Sequence, residues 1–155
     1  MQRLKCTSQV YDWGKVGSAS KVYQLMVSSE KSDEFKSNQP YAELWMGTHP
    51  SGPSVLWNDR SISLDAYIKD HPEYLGIPCV DTFGHQLPFL FKVLSIDKAL
   101  SIQAHPDKRL AEKLHADWPD IYKDDNHKPE MAIALTNFEA LIGFRPLVQI
   151  RALIT

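Results

Sequence analysis

Hydrophobic and polar positions alternate cleanly along three stretches of this chain and recur at helical spacing along several others. From Leu87 to Leu94 (LPFLFKVL), Phe89, Phe91 and Val93 share one face of an expected strand, and Leu90, Lys92 and Leu94 share the other. From Leu100 to His105, Leu100, Ile102 and Ala104 alternate with Ser101, Gln103 and His105. From Lys128 to Leu135, Met131, Ile133 and Leu135 alternate with Lys128, Glu130, Ala132 and Ala134. Tyr41 to Thr48 is aromatic and apolar, and Pro50, Gly52 and Pro53 break it. Helical spacing appears at Val22, Leu25 and Met26, and at Leu64, Tyr67 and Ile68 behind a Ser63 cap, with Gly76 and Pro78 expected to end that helix. Pro106 and Asp107 stop the second strand and open a helix carrying Leu110 and Leu114. Ser28 to Gln39 is polar and reads as a loop, and Leu147 to Ile154 is again spaced as a helix. There is no internal repeat and no low-complexity tract. The expected class is β-rich with interspersed helices, of the sandwich or barrel kind.

Composition narrows the function classes. The chain has 155 residues, 43% hydrophobic and 23% charged, enough for one compact domain. A net charge of -2 gives no reason to expect a nucleic-acid or membrane partner. Cys6 and Cys79 are too few for a disulfide framework, and a reducing, cytoplasmic setting is the expectation. The residues from Met1 to Lys5 lack the apolar core of a signal peptide, and no stretch approaches a bilayer span. The helical pattern from Leu147 runs to Thr155 without a capping signal, which suggests a truncated chain or a short fraying helix.

The candidate chemistry sits on the polar faces of two of the expected strands. Ser101, Gln103 and His105 lie in a row opposite an apolar face, and such a row, if buried, must be satisfied by a metal or a polar ligand. Gln103 and His105 are spaced to offer an amide oxygen and an imidazole nitrogen to one ion. Glu130 offers a carboxylate from the neighbouring expected strand, with Lys128 beside it as a cation. This donor set suits zinc, with Mn²⁺ or Fe²⁺ as alternatives. A Gln-x-His pair is common by chance, and most such residues are solvated or bonded to backbone. The residues alone therefore stop at a small-molecule or metal pocket in a β-rich domain.

Six segments, in order, resemble the type I phosphomannose isomerases: Tyr11-Asp12-Trp13-Gly14; Tyr41 to Pro50 (YAELWMGTHP); Leu87 to Leu94; Leu100 to Pro106 (LSIQAHP); Asn126 to Glu130 (NHKPE); and Phe144-Arg145-Pro146. The resemblance implies a cupin-type (jelly-roll) β-barrel, incomplete here, with residues 1-146 the front of the catalytic domain and 147-155 the start of a truncated helical domain. It implies one Zn²⁺ held by Gln103, His105 and Glu130, with a further His and a catalytic Arg expected beyond Thr155. It implies the interconversion of mannose 6-phosphate and fructose 6-phosphate through an enediol, feeding GDP-mannose synthesis, by a cytoplasmic monomer.

Lys128 is the first acid/base candidate and His127 the weaker one; Ser101 and Lys92 are phosphate candidates. Lys92 reads equally as a solvated strand lysine, and Trp13 as either a wall of the sugar pocket or core. Glu43 and His49 read as hydrogen-bonded structural groups. The rival readings are a non-catalytic sugar-phosphate or metal-binding module, a partly folded fragment, and a cupin-type oxygenase. The last normally opens its metal motif with His-x-His, where this chain has Gln-x-His.

Overall fold

The computed structural model describes residues 1–30 and 35–154. The middle of the expected Ser28–Gln39 loop lies outside the described residues. Among those described, the chain is β-rich with several helices and divides into two units, Met1–Ser101 and Ile102–Thr155.

The first unit is built on short antiparallel strands. β1 (Leu4–Lys5) pairs with β6 (Val55–Leu56), and β3 (Lys15–Val16) pairs with β4 (Pro40–Tyr41). The main sheet places β5 (Glu43–Met46) between β2 (Thr7–Gln9) and β7 (Phe91–Leu94). Its register sets Leu44 opposite Val93 and Trp45 opposite Lys92. Alternation then separates the two faces. Leu44, Met46 and Val93 turn toward α1 (Lys21–Ser29) and join Val22, Tyr41, Tyr23, Leu25 and Met26 in the core. Glu43, Trp45 and Lys92 share the opposite face, beside Thr7 and Gln9 of β2.

Sequence signals account for most of these boundaries. Ser20 caps α1 and is fully buried, its hydroxyl accepting from the Tyr23 amide. Ser63 caps α2 (Leu64–Asp70) as expected. α2 ends before Pro72, earlier than expected. Gly76, with φ of 80°, instead leads into α3 (Ile77–Phe83), and Pro78 sits in the first turn of α3, where its missing N–H costs nothing.

In the second unit Asp107 caps α4 (Lys108–Asp117), accepting from the Leu110 amide at 2.8 Å. α5 (Leu147–Ile154) follows a long coil, at the position the spacing predicts. The strands expected at Leu100–His105 and Lys128–Leu135 are corrected here: neither segment forms a strand. Alternation supplies a buried face only when a neighbouring strand supplies the ladder. Among the described residues none pairs with these segments, and Ile102, Met131, Ile133 and Leu135 are largely exposed. The closed barrel is likewise absent among the described residues; the sheets have two or three strands each.

Candidate active site

The segments around the expected metal ligands are coil, yet two of those ligands meet. His105 ends the stretch that runs into α4. Glu130 lies 25 residues later, and its Oε2 is 3.3 Å from His105 Nε2. The imidazole is partly screened, with its side chain 31% exposed, whereas the Glu130 side chain is 73% exposed. A nitrogen and a carboxylate oxygen converging from distant positions form half of a zinc donor set. Gln103 precedes His105 by two residues on the same stretch. Among the described residues no group of three or more His, Cys, Asp or Glu side chains gathers as a metal site, so the His105–Glu130 pair is the part of the expected donor set that meets here.

Lys128 stands next to this pair along the chain and is ion-paired with Asp124, Nζ to Oδ2 at 3.4 Å. Asp124 also accepts from the Asn126 amide through Oδ1 at 2.9 Å, closing a local turn. Asn126 Oδ1 in turn accepts from Lys108 Nζ at 3.2 Å, which ties the loop to the first turn of α4. His127 is exposed between Asn126 and Lys128. Asp124 and Lys108 escaped the sequence reading. The Asp-x-Asn spacing of an Asx turn was the available signal for Asp124, whereas the Lys108 contact spans 18 residues and has no local signature.

The other expected site residues belong to the first unit. Lys92 lies on the sheet face opposite α1. Its Nζ is 3.3 Å from Glu43 Oε2 and 4.9 Å from the centre of the Trp45 ring. Glu43, buried on central β5, also accepts a hydrogen bond from Trp45 Nε1, so one carboxylate holds an indole and an ammonium. His49 meets Trp45 edge to face at 5.0 Å. Burial raises the Tyr11 hydroxyl above its ordinary range, and the Glu43 charge adds to that shift. Trp13 is partly buried, its ring 5.8 Å from that of Tyr11, and its carbonyl accepts from the Asp97 amide at 2.9 Å. Ser101, exposed at the end of the first unit, takes part in an interaction of its own.

Residues 1–147 match the family model of the phosphomannose isomerase type I catalytic domain. A probable mannose-6-phosphate isomerase of Echinococcus multilocularis is 64% identical over 99% of this chain. The mannose-6-phosphate isomerase of Mus musculus is 54% identical over 95% of it. The chain spans 36% and 35% of those two proteins, about a third of each. Among solved structures, mannose 6-phosphate isomerase from Salmonella typhimurium, bound to its substrate fructose 6-phosphate and zinc, matches with a TM-score of 0.63 and 37% identity. That match covers 83% of this chain and 33% of the Salmonella chain. A mannose 6-phosphate isomerase bound with zinc and yttrium matches equally well, at a TM-score of 0.63. With its motifs in order and almost its whole length matched, the chain belongs to the type I phosphomannose isomerases.

Proposed function

We propose that this chain contributes the front of the active site of a zinc-dependent isomerase that interconverts mannose 6-phosphate and fructose 6-phosphate. The approach of His105 to Glu130 across 25 residues is the observation that carries this reading. Family membership and the zinc- and substrate-bound relatives support it. Gln103, His105 and Glu130 would hold the ion, and a residue outside this sequence would complete the set. When bound, zinc acts as a Lewis acid that stabilises enediolate charge by several kcal/mol.

The chain's own residues divide the remaining work. Lys128, fixed by Asp124, carries positive charge next to Glu130 and is the first candidate to move the proton between adjacent carbons. His127 is the second. Lys92 is held by Glu43 and Trp45, and with Ser101 it would bind the phosphate. A cation already half-neutralised by a carboxylate binds a dianion through its remaining donors, and its position is set beforehand. Trp13 would wall the sugar. A closed cupin-type barrel, a domain boundary near residue 146, a helical domain opening at Leu147, a monomeric state and a cytoplasmic setting belong to the same reading. The two cysteines, both unbridged, are compatible with that setting.

The test fuses the chain in frame to the downstream two-thirds of the Echinococcus relative and follows mannose 6-phosphate turnover in a coupled assay. Turnover should vanish on chelation and return with zinc. Activity that survives thorough removal of metal would refute the zinc role. The 155-residue chain alone should bind zinc and show no turnover.

A further inference from the structure

His105 and Glu130 are not joined by a sheet, so something else must bring them together. Three contacts link the two limbs of the second unit at nested positions. His115 Nδ1 lies 2.6 Å from the Tyr122 carbonyl oxygen, seven residues away. Lys108 Nζ donates to Asn126 Oδ1 at 3.2 Å, 18 residues away. His105 meets Glu130 25 residues away. Each contact encloses the one before it, as rungs of a ladder do. Asp124 stiffens the returning limb from within, since its carboxylate takes both the Asn126 amide and the Lys128 ammonium.

We infer that the Lys108–Asn126 rung, backed by Asp124, is a positioning device that holds Glu130 and Lys128 in place for the metal and substrate chemistry. The inference rests on the zinc reading above but concerns Lys108, Asn126 and Asp124, which lie outside the proposed ligand, acid/base and phosphate candidates. Its magnitude follows from chain statistics. Without the rung, ligation by His105 and Glu130 must close a loop of at most 25 free residues, fewer where α4 and the His115 contact persist, so the gain derived from it is a ceiling. With Lys108 and Asn126 already joined, only the three residues after His105 and the four before Glu130 remain to be ordered. Closure entropy scales as three-halves of the logarithm of loop length, so the rung should be worth up to about seven-fold in metal affinity. Lys108 also pairs with Glu112 at 3.4 Å along α4, a contact that could support the helix without reaching the loop.

The experiment titrates zinc into the full 155-residue chain against a competing chelator, with ¹⁵N relaxation of residues 124–130 recorded on the metal-free protein. Lys108→Met and Asn126→Ala should each weaken zinc several-fold, up to about seven-fold, and the double variant should be no worse than either single one. Their loop order parameters should fall below about 0.6. Lys108→Arg, which keeps a donor, should bind zinc as the parent does, and Glu112→Gln should do the same. In a Glu130→Ala background, Asn126→Ala should cost nothing further. Unchanged zinc affinity and loop order in Lys108→Met would overturn the inference, as would an equal loss in Glu112→Gln. A parent chain that binds no zinc would instead refute the zinc reading, and the relaxation data would still decide whether the rung orders the loop.

Discussion

Ser20 shows how much one small side chain can settle. It is fully buried, donates to the Tyr41 carbonyl at 2.8 Å and accepts from the Tyr23 amide at 3.3 Å. The first bond locks α1 to β4, and the second caps the helix. Ser20→Ala leaves a buried carbonyl and an orphan amide, and should cost about 1–3 kcal/mol in chemical denaturation. A loss below about 0.5 kcal/mol would mean that water takes both partners. At this scale the sequence was informative where chemistry is local. Ser63 and Asp107 were readable as caps because a hydroxyl or carboxylate before an apolar helical run has one obvious use. Gln103, His105 and Glu130 were readable as metal-ligand candidates from their spacing, and the family motifs narrowed that reading to zinc. What joins them was hidden: Lys92 to Glu43, Lys128 to Asp124 and Lys108 to Asn126 are side-chain pairings that neither periodicity nor composition encodes.

Elements were legible in proportion to how far they stand on local signals. α1, α2, α4 and α5 formed where helical spacing placed them, because spacing, caps and the i to i+4 ladder lie within one segment. Strand pairing depends on a partner that the segment does not contain; here two expected strands did not form, and of the strand expected over Leu87–Leu94 only Phe91–Leu94 did. Phe91–Leu94 is a strand because β5 lies beside it; the equally regular alternation at Leu100–His105 and Lys128–Leu135 has no such neighbour among the described residues. Close backbone approach is a further constraint that sequence conceals. Gly17 has φ of +48°, and a Cβ there would fall 2.1 Å from the Ser37 carbonyl oxygen. Both the left-handed conformation and the contact with backbone oppose any side chain. Gly17→Ala should therefore lose more than about 1 kcal/mol of stability and lower the thermal midpoint by several degrees. An unchanged midpoint would show that the Ser37 segment moves aside freely.

On the scale of the folded unit, three segments of the first unit are tied together by charge at one point. Glu30, just past α1, accepts from Lys5 of β1 at 3.0 Å and from Arg60, beyond β6, at 2.6 Å. Three segments distant in sequence thus meet on one carboxylate, next to Arg3, whose guanidinium stacks 3.6 Å above the Trp57 ring and donates to the Ser29 carbonyl at 2.7 Å. The Arg60 hydrogen bond, then that of Lys5, pulls the Glu30 carboxyl below its ordinary 4.5. The native state therefore favours the ionised form more than the unfolded chain does. For a carboxyl lowered on folding, the stabilising contribution is complete above the unfolded value and disappears as pH falls through the lower native value. Glu30→Gln removes the titrating group while keeping the shape. The gap in thermal midpoint between the parent and Glu30→Gln should be constant above about pH 5.5 and should narrow steadily as the pH is taken down past the ordinary 4.5. Because every other carboxylate titrates in both proteins, the difference isolates this cluster. Added salt should shrink the gap at neutral pH, since the pairs lie near the surface. A gap that stays fixed down to about pH 3 would show that Lys5 and Arg60 do not distinguish carboxylate from amide, and that apolar packing alone joins β1, β6 and α1.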